Sequence, residues 1–103
     1  MRTLLPIALG IALASPALAA DPASVSGSPA LLAANCANCH GTDGRAVPGS
    51  GNEALAGTDK DKLMQKLRDF RSGAKPATIM HQISKGYTEA QLELVAAYFA
   101  AQK

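Results

Sequence analysis

Two cysteines and a histidine fall within five residues and form a cluster that several chemistries could use. The run is Cys36-Ala37-Asn38-Cys39-His40, a C-x-x-C-H pattern. On a helical turn, side chains three residues apart lie on one face, so both thiols could engage one group while the next residue offers an imidazole. Zinc binding, thiol–disulfide exchange and covalent attachment of haem all use a C-x-x-C pair.

The rest of the chain separates these three chemistries. A zinc site would need both histidines, His40 and His81, because no second cysteine pair exists. Disulfide oxidoreductases place the pair at a strand-to-helix junction, and no alternating apolar run predicts a strand here. An exported dithiol oxidoreductase is therefore a remote alternative, and the pattern favours c-type haem. Cys36 and Cys39 would each add across a vinyl group, and His40 would bind the iron from the proximal side.

The distal iron position has four candidate ligands: Met64, Met80, His81 and water. Met64 lies one position from an apolar helix face, which is more typical of a core residue. His81 follows Met80 directly, so only one of the two can point at the iron. We favour Met80, which lies 40 residues after His40. A thioether raises the reduction potential relative to a second histidine, and saturated coordination favours electron transfer over catalysis.

Helix signals lie on both sides of the cysteine cluster. Ser28-Pro29 predicts a helix from Ala30 to about Cys36, since the serine can cap and the proline suits the first turn. Thr58 precedes Asp61 in the manner of a capping box, and Gly73 supplies a stop. The helix between these signals carries three apolar residues on one face: Leu63, Leu67 and Phe70.

Two further helices are predicted near the C-terminus. One covers Ala77 to Lys85 and ends at Gly86, and the next begins at the capping box Thr88-x-x-Gln91. The last helix has a buried stripe formed by Leu92, Val95, Ala96 and Phe99. Residues 41–57 contain five glycines and predict a loop. The expected fold is all-α, with about four short helices wrapped around one covalently attached haem.

The first 19 residues have the pattern of a secretory signal peptide. A positive Arg2 precedes the apolar stretch Leu4 to Leu13, and the small-x-small pattern predicts cleavage after Ala19. We therefore expect a periplasmic protein with a flexible lead at 20–28 and a monohaem domain at 29–103. The whole uncharged stretch runs from Thr3 to Ala20, and three residues interrupt it and argue against its retention as an anchor: Pro6, Gly10 and Pro16.

Composition limits both the core and the partners. Cleavage would leave 84 residues with nine cations and eight acids, a balance that does not indicate nucleic-acid binding. Such a short chain usually needs a disulfide framework, a metal or a large cofactor, and two cysteines form at most one bridge. Residues 59–85 hold seven cations and three acids, whereas the rest of the mature chain has two cations and five acids. These cations either form a solvated helix face or steer an acidic partner.

Four stretches carry a resemblance to a known family: Asn35 to Gly44, Leu55-Ala56-Gly57, Met80 to Thr88 and Leu94 to Ala100. They resemble class I cytochromes c, especially the short bacterial c4/c553 kind and the haem subunit of flavocytochrome c sulfide dehydrogenase. The resemblance implies an FAD-containing flavoprotein partner, a downstream redox protein and a chain that is not catalytic alone. The alternative is a freely diffusing carrier that serves a terminal oxidase or reductase.

One position departs from the family pattern. Relatives usually carry a proline two residues before Leu-Ala-Gly, in the loop whose carbonyl accepts the Nδ1 proton of the proximal histidine. Here that position is Glu53. The partner of His40 Nδ1 is therefore open, and Pro48 or a neighbouring carbonyl are the candidates.

Overall fold

Five α-helices and two short 3-10 turns make up the regular structure in the computed structural model, which describes residues 27–103. The helices are α1 (Pro29–Ala33), α2 (Ala37–His40), α3 (Lys60–Ser72), α4 (Met80–Lys85) and α5 (Glu89–Ala100). A 3-10 turn at Ala34–Cys36 joins α1 to α2, so residues 27–103 contain four α-helical segments, and the second 3-10 turn covers Thr42–Gly44. Residues 27–103 contain no strand, which confirms the all-α expectation. The predicted signal peptide and most of the predicted lead lie outside the described residues.

Helix α5 lies at the centre of the packing. Helices α1 and α3 both pack against it, and α4 packs against α3. Each of the four residues predicted for its stripe is at most 4% exposed. The core is small, which is consistent with a chain that needs additional buried mass. Seven hydrophobic residues in the described region are buried: Ala33, Leu63, Met64, Leu92, Val95, Ala96 and Phe99.

Local capping fixes the ends of the longer helices. The Thr88 hydroxyl accepts a hydrogen bond from the Gln91 backbone nitrogen at 3.1 Å, and the Gln91 side chain accepts one from the Thr88 nitrogen at 2.9 Å. This confirms the predicted capping box of α5. Gly73 ends α3 with φ of +84°, a left-handed conformation that glycine adopts without strain.

Three predicted boundaries are wrong by a few residues. Asp59, not Thr58, caps α3, because its carboxylate accepts from the Lys62 nitrogen at 3.1 Å and the helix starts one residue later. Helix α4 begins at Met80 rather than Ala77, since Ile79 has a non-helical φ of −138° and acts as its N-cap. The first helical segment continues past Cys36, because the 3-10 turn carries it into α2.

The cations of α3 are largely neutralised in space by acids from outside residues 59–85. Lys60 pairs with Glu93 at 2.7 Å, Arg68 with Glu89 at 2.6 Å, and Arg71 with Glu89 at 3.2 Å. Lys66 pairs with Glu53. The pairing holds the pKa of Glu93 below its ordinary value and raises that of Lys60. The charge imbalance along the sequence therefore does not become an equally strong positive surface. The paired side chains are still partly exposed, as expected for a solvated helix face, and steering of an acidic partner stays a prediction.

Gly44 shows how closely the loop after α2 approaches α5. Its φ is +76°, and an added Cβ would lie 2.7 Å from the Phe99 ring and 2.9 Å from the Ala56 nitrogen. We expect Gly44→Ala to lower the free energy of unfolding by about 2–4 kcal/mol, since left-handed strain and overpacking add. Chemical denaturation measures this loss.

Gly49→Ala is the matched control for that substitution. Gly49 also has a positive φ, of +81°, but an added Cβ would meet no heavy atom within 4 Å. It should therefore cost only the backbone strain, about 1–2 kcal/mol. Equal losses in both variants would contradict the close packing of Gly44 beneath Phe99.

No helix within residues 27–103 has the length and apolar character needed to cross a bilayer.

Candidate functional site

A cavity of about 910 Å³ opens between the α1–α2 segment and helices α3, α4 and α5. This volume lies at the upper end of the roughly 300–1,000 Å³ typical of small-molecule and cofactor sites. The structure brings four predicted site residues together in its lining: Cys36, Cys39, His40 and Met80. They come from positions up to 44 residues apart in the sequence, so the fold, not local spacing, creates this site.

Cys36 is the last residue of the first 3-10 turn, and Cys39 lies in α2. Cys36 is half-buried and Cys39 is exposed. Burial raises the pKa of the Cys36 thiol.

The partner of the His40 imidazole is a backbone carbonyl in the following loop. His40 Nδ1 lies 2.5 Å from the Glu53 carbonyl oxygen. A carbonyl can only accept, so Nδ1 carries the proton and donates, which leaves the Nε2 lone pair free for a metal. The open question about this contact is thereby answered: the carbonyl of Glu53 itself, not that of Pro48, occupies the expected place.

The candidate side chains for the distal iron ligand differ in whether they line the cavity. Met80, the first residue of α4, lines the cavity, whereas neither Met64 nor His81 does. Met64 is 2% exposed and belongs to the core, as expected from its helical position. Buried Ser84 supports the start of α4, since its hydroxyl donates to the Met80 carbonyl at 2.7 Å. The geometry keeps Met80 as the leading candidate, and its role as the iron ligand stays a prediction.

Apolar walls complete the cavity. The predicted face of α3, formed by Leu63, Leu67 and Phe70, lines one part, and Val95, Ala96 and Phe99 of α5 line another. Two thiols, an imidazole with a free nitrogen, a thioether and broad apolar walls are the groups needed to hold a large flat macrocycle with a central iron. The residues present therefore fit a haem.

Several contacts that shape the cavity carry no sequence signal. The Tyr87 hydroxyl donates to the Leu32 carbonyl at 2.9 Å, and Arg71 donates to the Tyr87 carbonyl at 2.8 Å. Together they connect the turn before α5 to α1 and α3. Lys66 also lines the cavity and pairs with Glu53. Because such contacts involve backbone carbonyls or distant charges, residue spacing alone does not reveal them.

Comparison with known proteins places these features in a family. The family model for cytochrome c matches residues 25–103. The chain is 36% identical over 69 residues to the cytochrome subunit of sulfide dehydrogenase from Chlorobaculum tepidum, covering 67% of this chain and 61% of that protein. It is 38% identical over 73 residues to a thiosulfate dehydrogenase electron acceptor from Stutzerimonas stutzeri, covering 71% and 33%.

A third relative, cytochrome c-552 from Acidithiobacillus ferridurans, is 40% identical over 67 residues, covering 64% of this chain and 28% of that protein. The chain thus spans less than two thirds of the length of each of these relatives. The match confirms the expected resemblance to class I cytochromes c. The chain belongs to the cytochrome c family, whose members transfer electrons through covalently bound haem c.

Proposed function

We propose that this chain is a periplasmic one-electron carrier with His40 and Met80 as axial iron ligands, serving as the cytochrome subunit of a sulfide-oxidising flavoprotein complex. The main support for His40 and Met80 as iron ligands is that both line the same cavity as Cys36 and Cys39. The similarity to the cytochrome subunit of sulfide dehydrogenase supports the assignment to sulfide oxidation. The signal-peptide pattern supports the compartment.

Electron counting supports a flavoprotein partner. Oxidation of sulfide to elemental sulfur releases two electrons, whereas a single haem accepts one at a time. A flavin can take both electrons and pass them on singly, so each turnover would reduce this haem twice with reoxidation in between. The cytochrome chain then binds no sulfide, and its residues only hold the haem and present it to the partner.

The surface around the cavity favours an apolar contact. Leu31 and Ile79 are 72% and 55% exposed, and both lie in the cavity lining. Four of the five cations of α3 are paired within the chain and so offer little attraction to an acidic partner. A complex built on buried apolar area resists moderate salt, because salt screens exposed charges within about 8–10 Å but does not weaken apolar burial.

Size-exclusion chromatography of the native extract, followed at the haem and flavin absorption bands, tests the proposal. We expect the haem to elute with a flavin in one large species at both low and high salt. Elution of the haem as a monomer at both salt concentrations would contradict the stable-subunit assignment. Periplasmic fractionation of the same cells checks the compartment.

Two exposed residues provide a matched pair for the docking surface. Leu31→Glu places a charge at the cavity rim and should release the cytochrome from the flavoprotein. Val47→Glu introduces the same charge at a residue that is 65% exposed and outside the cavity lining, and should leave the complex intact. Retention of both variants in the complex would exclude the rim as the docking surface.

A second candidate is the electron acceptor of a thiosulfate dehydrogenase. The 38% identity to the acceptor from Stutzerimonas stutzeri favours it. Such a carrier, like the freely diffusing one, would elute as a monomer, and its rate of reduction would fall as salt is added. Rates of reduction by sulfide- and thiosulfate-oxidising extracts distinguish the two substrates.

A further inference from the structure

Glu53 is held at the cavity by two contacts that use different parts of the residue. Its carbonyl oxygen lies 2.5 Å from His40 Nδ1. Its carboxylate forms an ion pair with Lys66, which lines the same cavity from α3. Glu53 therefore connects the proximal imidazole to a helix on the other side of the loop.

Besides these two contacts, the backbone near Glu53 has one local bond, from the Asn52 nitrogen to the Ser50 hydroxyl, and is joined to the domain two residues later, where the Leu55 nitrogen donates to the Gly44 carbonyl. Residues 51–55 have no regular secondary structure, and none of residues 51–54 takes part in a backbone–backbone hydrogen bond within the described chain. Gly49 and Gly51 both have positive φ and open space around them. A glycine-containing segment with so few contacts can shift easily unless a side chain anchors it.

Helix α3 is a suitable anchor. It runs for 13 residues, with Asp59 capping its start and Gly73 ending it. It also packs against both α4 and α5. Lys66 lies near the middle of this helix, where fraying does not reach. The position of the Lys66 ammonium is thus set by the main body of the domain.

We propose that the Lys66–Glu53 ion pair is a positioning device that holds the Glu53 carbonyl against His40 Nδ1 and so sets the strength of the proximal hydrogen bond. A close acceptor at Nδ1 makes the imidazole a stronger donor to iron, and stronger donation stabilises the ferric state. Loss of the anchor should weaken the hydrogen bond and favour the ferrous state. The proposal rests on the proposed role of His40 as iron ligand.

The test uses the ferrous haem-loaded protein with three single substitutions and one double substitution. Glu53→Gln and Lys66→Gln each remove one charge of the pair without removing the Glu53 carbonyl. Lys62→Gln is the matched control, because Lys62 is also an exposed cation of α3 but has no ion-pair partner among residues 27–103. The primary readout is the solvent-exchange rate of the His40 Nδ1 proton, measured by NMR.

A positioning role predicts faster exchange in both variants of the pair. We expect an increase of about three- to fivefold for each, in keeping with the contribution of a partly exposed pair. The double variant should exchange no faster than either single variant, because both substitutions remove the same interaction. Lys62→Gln should leave the rate unchanged.

The reduction potential separates positioning from a simple charge effect. Positioning predicts a higher reduction potential in both Glu53→Gln and Lys66→Gln, because either change favours the ferrous state. If the two charges acted only through the electric field, loss of Lys66 would lower the potential and loss of Glu53 would raise it, with no change in Nδ1 exchange. Unchanged exchange in either single variant, or additive increases in the double variant, overturns the proposal. Absence of covalent haem in the unmodified protein would instead overturn the proposed function, so the two failures are distinguishable.

Discussion

Replacing both Cys36 and Cys39 with alanine should yield a chain that carries no covalent haem and is largely unfolded. The described core contains only seven buried hydrophobic residues around a cavity of about 910 Å³. A haem buries several hundred Å² of apolar surface, of order 5–10 kcal/mol at about 25 cal/mol per Å², which is comparable to the whole stability of a small domain. Circular dichroism and thermal denaturation measure the loss.

The unmodified chain produced without haem attachment is the control for the cysteine substitutions. Both chains should lack a cooperative transition, because the missing haem, not the missing thiols, removes the centre of the fold. A cooperative thermal transition in the double variant would show that the helices fold around an empty cavity, contrary to our interpretation.

Met80→Ala should leave haem attached while opening the distal position. Met80 is the one methionine in residues 27–103 that lines the cavity. Its loss would replace a soft thioether with water or nothing, so exogenous cyanide or carbon monoxide should bind and the reduction potential should fall. Visible spectroscopy with added ligand, together with potentiometry, measures both changes.

Met64→Ala is expected to lower the stability of the protein without opening the distal iron position. Met64 is 2% exposed in the core and outside the cavity lining, so its truncation should cost about 2–5 kcal/mol of stability through the space it leaves. The distal position should stay closed to cyanide. Equal ligand binding by the two variants would contradict the assignment of Met80.

The cofactor attachment and the main helices were predictable because they depend on short-range patterns. The C-x-x-C-H run specifies its chemistry within five residues, and the Thr88–Gln91 capping box defines the start of α5 through contacts inside one helical turn. The start of α3 was misplaced by one residue because Thr58 and Asp59 can both cap and only the folded backbone selects between them.

Contacts between distant segments were not predictable from spacing. The cations of residues 59–85 resembled a positive surface in the sequence, but Glu89 and Glu93 of α5 reach them across the helix interface. The acceptor for His40 Nδ1 was left open for a related reason. It is a backbone carbonyl, and every residue supplies one, so residue type does not identify Glu53 as the partner.

An equilibrium redox titration of the purified protein, followed at its visible absorption bands, decides whether this chain transfers electrons through an attached haem. We predict a single reversible transition in the haem bands with a slope of about 59 mV per tenfold change in the ratio of oxidised to reduced protein, the value for one electron. The absence of haem bands, together with a two-electron transition of about 30 mV per tenfold change when the Cys36 and Cys39 thiols are titrated separately by alkylation, would contradict it.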